Sequence, residues 1–234
     1  MSSIILLGIK HCGKSTQGRL LSKHFDCSFF DTDDEVTALT GKTPREIYTE
    51  QGKEAFLEAE RNACVRLSEE ILKQVQNDTK QIQNDTSCHA EFISASKTTQ
   101  AKNDTSCHAE FISASQGAHK INAVIATGGG ICNNPPALEA LHKIGKFVFL
   151  NADEKTAADR IVHEIKYDGV GLMKNLPAYI AKENPKNVQD VRTIFHNFYL
   201  ERQKIYKDLC DIEVKLEHSA TKLENMEKII AMLE

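Results

Sequence analysis

Short apolar runs separated by longer amphipathic stretches recur along most of the chain. Five of these runs predict buried β-strands, at residues 4–7, 27–30, 123–126, 147–150 and 212–214. Between them, apolar residues recur at helical spacing, for example from Lys53 to Val75 and from Ala220 to Leu233. Strands that alternate with helices form parallel sheets covered on both faces. We therefore predict an α/β fold with a parallel sheet of about five strands flanked by helices.

One polar region interrupts this alternation. Residues 77–119 are rich in Asn, Asp, Ser and Thr, and the segment NDTSCHAEFISAS occurs there twice, beginning at Asn84 and at Asn103. The copies are identical, whereas repeats that pack against each other diverge, and two copies are too few to bury a core. We predict a single domain over residues 1–234 with a disordered loop inserted at residues 77–119.

Composition and charge narrow the classes of function. The 234 residues include 29 basic and 33 acidic side chains, and the net charge of −4 indicates no surface for nucleic acid. The apolar run at the N-terminus is too short for a membrane span or a signal sequence. We expect a cytoplasmic, monomeric protein that binds neither nucleic acid nor membrane.

A glycine-containing loop follows the first predicted strand. Its sequence GIKHCGKS, residues 8–15, matches the phosphate-binding pattern G-x-x-x-x-G-K-[ST]. Gly8 and Gly13 let backbone N–H groups surround a phosphate, and the helix that follows adds the positive end of its dipole. We expect Lys14 to neutralise phosphate oxygens, Ser15 to bind Mg²⁺ and Thr16 to extend the phosphate contacts. The loop therefore predicts a site for ATP and Mg²⁺.

Two carboxylates follow the second predicted strand. Asp31 and Asp33 are two residues apart, which places them on the same side of an extended chain. Phosphoryl transfer needs one acidic group near Mg²⁺ and a second that orients and deprotonates the attacking hydroxyl. We assign the first role to Asp31, which would bind the metal with Ser15, and the second to Asp33; with Lys14 they form the predicted catalytic set. The alternative is an acidic cluster that caps a helix N-terminus.

A glycine triplet follows the third predicted strand, at the carboxyl end where open α/β sheets bind ligands. Gly128, Gly129 and Gly130 expose backbone N–H groups at close range, which suits an anionic or hydroxylated substrate. A tight turn between strand and helix is the alternative interpretation.

Taken together, these motifs resemble those of shikimate kinases. The phosphate loop, the D-x-D pair, a G-x-x-x-F-x-x-x-E helix at residues 52–60 and the glycine triplet have the family's order and spacing. A later segment, RQKIY at residues 202–206, matches the family's R-x-x-x-Y. The resemblance covers nearly all of the chain outside the repeats. It implies a P-loop kinase that uses ATP and Mg²⁺ to phosphorylate a ring hydroxyl of shikimate, in aromatic amino acid biosynthesis.

The resemblance also implies roles for individual residues. Asp33 and the glycine triplet would bind the hydroxyls and the carboxylate region of the substrate. Arg202 would pair with the substrate carboxylate, which the planar fork of an arginine binds through two hydrogen bonds. Arg160 would lie near the adenine of ATP, and residues 164–186 would form a lid.

Two features depart from the family pattern. Leu57 stands where the family carries an arginine that grips the substrate carboxylate, and residues 164–186 contain no arginine. Arg61, one helical turn further along, or Lys166 and Lys174 would then supply the charge. Two other hypotheses therefore remain: a kinase of the same fold that acts on another small polyol or acid, and a nucleotide-binding module without catalysis. The retained Asp33 argues against the second of these.

Overall fold

The computed structural model describes residues 2–95, 121–169, 171–217 and 219–233. In the first of these ranges the elements are β1 (Ser2–Leu7), α1 (Lys14–His24), β2 (Ser28–Asp31), α2 (Thr32–Thr40), α3 (Pro44–Gln51) and α4 (Lys53–Ala95). The next elements are β3 (Ile121–Ala126), a 3₁₀ turn (Ile131–Asn133), α5 (Pro135–His142), β4 (Gly145–Ala152), α6 (Glu154–His163), β5 (Lys166–Tyr167) and β6 (Met173–Lys174). The chain continues with α7 (Ala178–Ala181), α8 (Val188–Leu209), β7 (Ile212–Leu216) and α9 (Lys222–Leu233).

Five parallel strands form the central sheet, in the order β2-β3-β1-β4-β7. β1 lies between β3 and β4, and Ile5 is in register with Ile125 on one side and Phe147 on the other. This confirms the predicted fold class. Because β1, β2 and β3 are parallel neighbours, the loops that follow them meet at one edge of the sheet, where open α/β sheets bind ligands.

The core lies on both faces of this sheet. Residues 4–7 of β1 are all at most 1% exposed, although successive side chains of a strand point to opposite faces. Helices therefore cover both faces, as the near-continuous apolar runs in the sequence predict. From these helices, Leu21 of α1 and Phe195 and Tyr206 of α8 contribute fully buried side chains.

Helix α4 is longer than expected from the sequence. It continues to Ala95 and contains most of the first repeat copy, so the structure corrects the start of the loop predicted at residues 77–119. Residues 53–95 contain neither glycine nor proline, and good helix formers such as Gln, Lys, Ala and Glu occur throughout the segment. Nothing in the local sequence ends the helix earlier. The rest of the predicted insertion, residues 96–119, lies outside the described residues.

A small hairpin and a short helix occupy the segment predicted to be a lid. β5 and β6 pair antiparallel, with Lys166 opposite Lys174, and α7 follows. Asp168 stabilises the turn, because its Oδ1 accepts a hydrogen bond from the backbone N–H of Leu172 at 2.8 Å. The function of residues 164–186 as a lid stays a prediction.

The structure also describes the state of five cysteines and bears on membrane insertion. Cys12, Cys27, Cys64, Cys132 and Cys210 are free thiols. Within the described ranges, no helix is both long and apolar enough to cross a bilayer.

Gly145 provides a test of the packing between the central strands. It begins β4 beside Ser3 of β1, and a methyl group at this position would lie 2.0 Å from the carbonyl oxygen of Ser3. We expect Gly145→Ala to force the strands apart and to lower the free energy of unfolding by about 1–3 kcal/mol, measured by urea denaturation. Gly169→Ala is the control, because a methyl group there meets no atom within 4 Å. Equal stabilities of the two variants would contradict this account.

Candidate active site

The phosphate loop connects β1 to α1 through backbone conformations that favour glycine. Gly8 and Gly13 have φ angles of 145° and 102°, in the region that side chains strongly disfavour. A methyl group on Gly8 would also lie 2.9 Å from the carbonyl oxygen of Leu150 in β4. The two glycines of the motif thus allow the loop to curl tightly over the edge of the sheet.

Lys14 and Ser15 point in different directions from the start of α1. The side chain of Lys14 is buried, and its ammonium group donates to the carbonyl oxygens of Gly8 and Ile9, both at 2.8 Å. Ser15 is exposed, and its hydroxyl donates to Oδ2 of Asp31 at 2.7 Å. The phosphate loop and the end of β2 therefore meet through one hydrogen bond.

Asp31 and Asp33 occupy the junction between β2 and α2. Oδ1 of Asp31 accepts a hydrogen bond from the backbone N–H of Asp33 at 3.1 Å, so Asp31 caps the helix as well as contacting Ser15. The Asp33 carboxylate opens to the cleft but has protein on most sides. Burial, followed by the nearby charge of Asp31, raises the pKa of Asp33, while Lys14 and Lys10 oppose the shift. The result is a more basic carboxylate.

The glycine triplet packs directly against these groups. The backbone N–H of Gly128 donates to the hydroxyl of Thr32 at 2.9 Å, and a methyl group on Gly128 would lie 2.8 Å from Oδ1 of Asp33. A methyl group on Gly129 would lie 2.7 Å from the backbone nitrogen of Lys10. Glycine at position 129 allows the close approach to the phosphate loop, and glycine at position 128 leaves room for the Asp33 carboxylate.

Glu60 of α4 lies behind the glycine triplet and is only 1% exposed. Its Oε2 accepts a hydrogen bond from the Asn134 side chain at 2.9 Å, whereas its Oε1 has no partner among the described residues. Burial raises the pKa of Glu60 to about 7, against the opposing effect of the Asn134 hydrogen bond, and the charge of Asp33 adds to the rise. Near neutral pH this carboxyl group holds its proton for much of the time.

Two arginines expected at the site take different positions. Arg202 of α8 is buried beside the residues that follow the triplet: it donates to Asn133 Oδ1 at 3.2 Å and contacts the Cys132 sulfur. Arg160 of α6 is exposed and donates to the carbonyl oxygen of His11, in the phosphate loop, at 2.5 Å. Arg160 therefore lies beside the phosphate loop, and Arg202 lies beside the residues that follow the glycine triplet.

These elements surround one cleft with a volume of about 990 Å³. Most of the predicted site residues line it, namely Gly13, Lys14, Ser15, Thr16, Asp31, Asp33, Gly129 and Arg160. Gly8, Gly128, Gly130 and Arg202 lie outside its lining, but Gly8 accepts a hydrogen bond from the lining residue Lys14 and Gly128 lies against Asp33. Most residues of the predicted site thus line the same cleft, whereas Arg202 does not line it.

Magnesium was predicted at Ser15 and Asp31. Among the described residues, no group of three or more His, Cys, Asp or Glu is arranged to hold a metal. Mg²⁺ does not need such a cage, because it keeps several waters and binds one or two protein oxygens together with substrate phosphates. The Ser15 hydroxyl and the Asp31 carboxylate, 2.7 Å apart beside the phosphate loop, fit that requirement.

Three polar residues at the site had no predicted role. Thr32 and Asn134 bond to Gly128 and Glu60, and no sequence pattern pointed to them. The sequence does contain an indication for Glu60, because this residue shares one helical face with apolar Phe56 and Ala63. An acidic residue on an apolar face indicates a buried carboxyl group.

Comparison with known proteins agrees with this geometry. A family model described as shikimate kinase matches residues 10–75 and 105–234. The chain belongs to the shikimate kinase family. A shikimate kinase of Chlorobium phaeovibrioides is 21% identical over 97% of this chain and 93% of that protein. One of Thiobacillus denitrificans is 24% identical over 91% of this chain and 80% of that protein.

Another relative has a higher sequence identity over a shorter segment. A shikimate kinase of Microcystis aeruginosa is 42% identical over 66 residues, which span 28% of this chain and 35% of that protein. Family membership identifies the chain as an ATP-dependent small-molecule kinase, as the motifs predicted.

Solved structures share the fold. A shikimate kinase from Acinetobacter baumannii in complex with shikimate has a TM-score of 0.60 at 18% identity, over 100% of this chain and 93% of that one. The shikimate kinase of Aquifex aeolicus has a TM-score of 0.58 at 23% identity, over 99% and 95% of the two chains. These similarities show the same α/β architecture.

The burial of Glu60 predicts a pH-dependent stability. The pKa of this carboxyl rises from 4.5 to about 7 on folding, so between these values the folded state holds a proton that the unfolded state loses. The contribution of Glu60 to the free energy of unfolding is therefore greatest below pH 4.5 and is lost as pH rises towards about 7. Glu60→Gln removes this loss, and we expect the variant to gain up to about 3 kcal/mol relative to the parent between pH 5 and 8.

Urea denaturation at several pH values would measure this difference. Glu58→Gln is the matched control, because Glu58 is an exposed residue of the same helix. If the free energies of unfolding of Glu60→Gln and of the parent changed in parallel with pH, Glu60 would be charged at neutral pH.

Proposed function

We propose that this protein transfers the γ-phosphoryl group of ATP to a ring hydroxyl of shikimate, with Mg²⁺, giving shikimate 3-phosphate. The observation that carries the proposal is the position of the Asp33 carboxylate between the glycine triplet and the phosphate loop. A hydroxyl bound there would meet a base on one side and a phosphate site on the other. Family membership supports shikimate as the acceptor.

The nucleotide side of the cleft would position the phosphates. Backbone N–H groups of the loop and the start of α1 provide hydrogen bonds and the positive end of the helix dipole. Lys14 supplies a charge for the phosphate oxygens, and Ser15 and Asp31 would hold Mg²⁺. Arg160, fixed against the loop, would contact the nucleotide beyond the phosphates. Bound ATP supplies the phosphoryl group.

Asp33 would act on the acceptor hydroxyl. It accepts the proton of that hydroxyl as the oxygen attacks, and its raised pKa makes it a better base than an ordinary aspartate. Its place at the start of α2, beside Asp31 and Gly128, fixes the carboxylate so that little reorganisation accompanies the reaction. The backbone N–H groups of the triplet and Arg202 would orient the remaining hydroxyls and the carboxylate of the acceptor.

A second candidate is a kinase of the same fold that acts on another small polyol or acid. It is favoured by Leu57, and by Arg61, which is exposed and donates to the adjacent Asn62 at 3.1 Å. Retention of Lys14, Ser15 and Asp33 in one cleft disfavours a module without catalysis. The cytoplasmic location, the monomeric state and the absence of nucleic acid partners stay predictions.

The direct test is ADP release with shikimate, in parallel with uncharged polyols, followed by identification of the phosphorylated product. Turnover of shikimate that far exceeds turnover of the polyols would support the proposal. Turnover of a polyol without use of shikimate would replace it with the second candidate.

Asp33→Asn tests the role of the base. We expect kcat to fall by about 10²–10⁴-fold, because the amide cannot accept the proton, while the KM for ATP stays within about twofold of the parent. Asp34→Asn changes the exposed neighbouring acid and should leave kcat unchanged. An unaltered kcat in Asp33→Asn would eliminate Asp33 as the base.

A further inference from the structure

The acceptor side of the cleft lacks the expected cation on α4. Leu57 of α4 is half-buried, and its carbonyl oxygen accepts a hydrogen bond from Asn134 at 2.8 Å, which holds this turn of helix near the residues that follow the triplet. A carboxylate that enters a partly enclosed site needs a positive partner to offset its lost hydration. Arg202 provides one charge, and the position of Leu57 provides none.

Several other basic side chains already have polar partners. Arg61, Lys174, Arg45 and Arg160 contact, respectively, Asn62, Asp168, the lid residue Asn175 and the carbonyl oxygen of His11. These contacts disfavour Arg61 and Lys174 as the replacements considered from the sequence. A replacement cation must lie within reach of the triplet and have its charge available.

Lys10 meets both conditions. It is exposed, it lines the cleft together with Asp33 and Gly129, and its ammonium group has no hydrogen bond or ion pair with the residues that the structure describes. Its backbone nitrogen lies 2.7 Å from where a methyl group on Gly129 would be, so this part of the loop packs on the triplet itself. The charge of Lys10 also opposes the rise in the pKa of Asp33, as expected for an ammonium group near that carboxylate.

We propose that Lys10 binds the carboxylate of the acceptor and determines the preference of this enzyme for an anionic substrate, in place of the arginine that Leu57 replaces. The inference rests on the proposed function. A lysine suits the position because it is a compact charge on a flexible stem, which can reach an acceptor from the loop rather than from the helix. Lys10 and Arg202 then approach the carboxylate from two different elements.

Lys10→Met tests this role, because methionine keeps most of the length of the stem and removes the charge. We expect the KM for shikimate, and its dissociation constant measured by calorimetry without ATP, to rise about tenfold, the value of one charge-assisted hydrogen bond. The KM for ATP should stay within about twofold. Lys10→Arg should keep most of the affinity, and Lys23→Met, at an exposed lysine of α1 outside the cleft, should resemble the parent.

The methyl ester of shikimate identifies the group that Lys10 contacts. The parent should bind the ester at least about tenfold more weakly than shikimate, whereas this ratio should be about tenfold smaller in Lys10→Met, where only Arg202 still distinguishes the two. Adding Leu57→Arg to Lys10→Met should restore affinity for shikimate, because it returns a cation to the same side of the cleft. Rescue of this kind would separate a specific charge contact from general damage to the loop.

The outcomes separate this inference from the proposed function. If the parent neither binds nor phosphorylates shikimate, the proposed function fails and the role of Lys10 fails with it. If the parent uses shikimate and Lys10→Met does so with unchanged KM and dissociation constant, only the role of Lys10 is overturned. A change confined to the KM for ATP would also overturn it, because Lys10 would then act on the nucleotide.

Discussion

The backbones of the phosphate loop and the glycine triplet approach each other so closely that only glycine fits between them. A methyl group on Gly129 would lie 2.7 Å from the Lys10 nitrogen, and one on Gly128 would lie 2.8 Å from the Asp33 carboxylate. This contact depends on β3 and β1 being neighbours in the sheet, which places the loops that follow them side by side. It sets the distance between the phosphate site and the acceptor site, and the other groups of the cleft are arranged around it.

Three acidic residues in and behind the cleft have different surroundings. The Asp31 carboxylate accepts hydrogen bonds from the Ser15 hydroxyl and from the backbone N–H of Asp33 at the start of α2. Burial, followed by the charge of Asp31, raises the pKa of the neighbouring Asp33. Glu60 is buried further from solvent, and its pKa rises to about 7. Burial thus raises the pKa of both Asp33, in the cleft, and Glu60, behind the glycine triplet.

The substitution at Leu57 changes which element supplies charge to the acceptor. An arginine on α4 would lie on a rigid helix, whereas Lys10 lies on the loop that also surrounds the phosphates. Recognition of the acceptor carboxylate and the conformation of the phosphate loop are then coupled through one residue. The family arginine separates these two tasks. Such a change shows how a site can keep its acceptor chemistry while a principal contact moves to another part of the fold.

The sequence by itself determined the sheet, the phosphate loop, the acidic pair and the glycine triplet, because each depends on local periodicity or on a short pattern with one structural solution. It did not determine where α4 ends, since without glycine or proline no local signal marks the boundary. Only the tertiary structure decided the burial of Glu60, the bond from Asn134 and the contact of Lys10 with Gly129. These join residues far apart in the chain, and their proximity follows from strand order and helix packing rather than from any neighbouring residue.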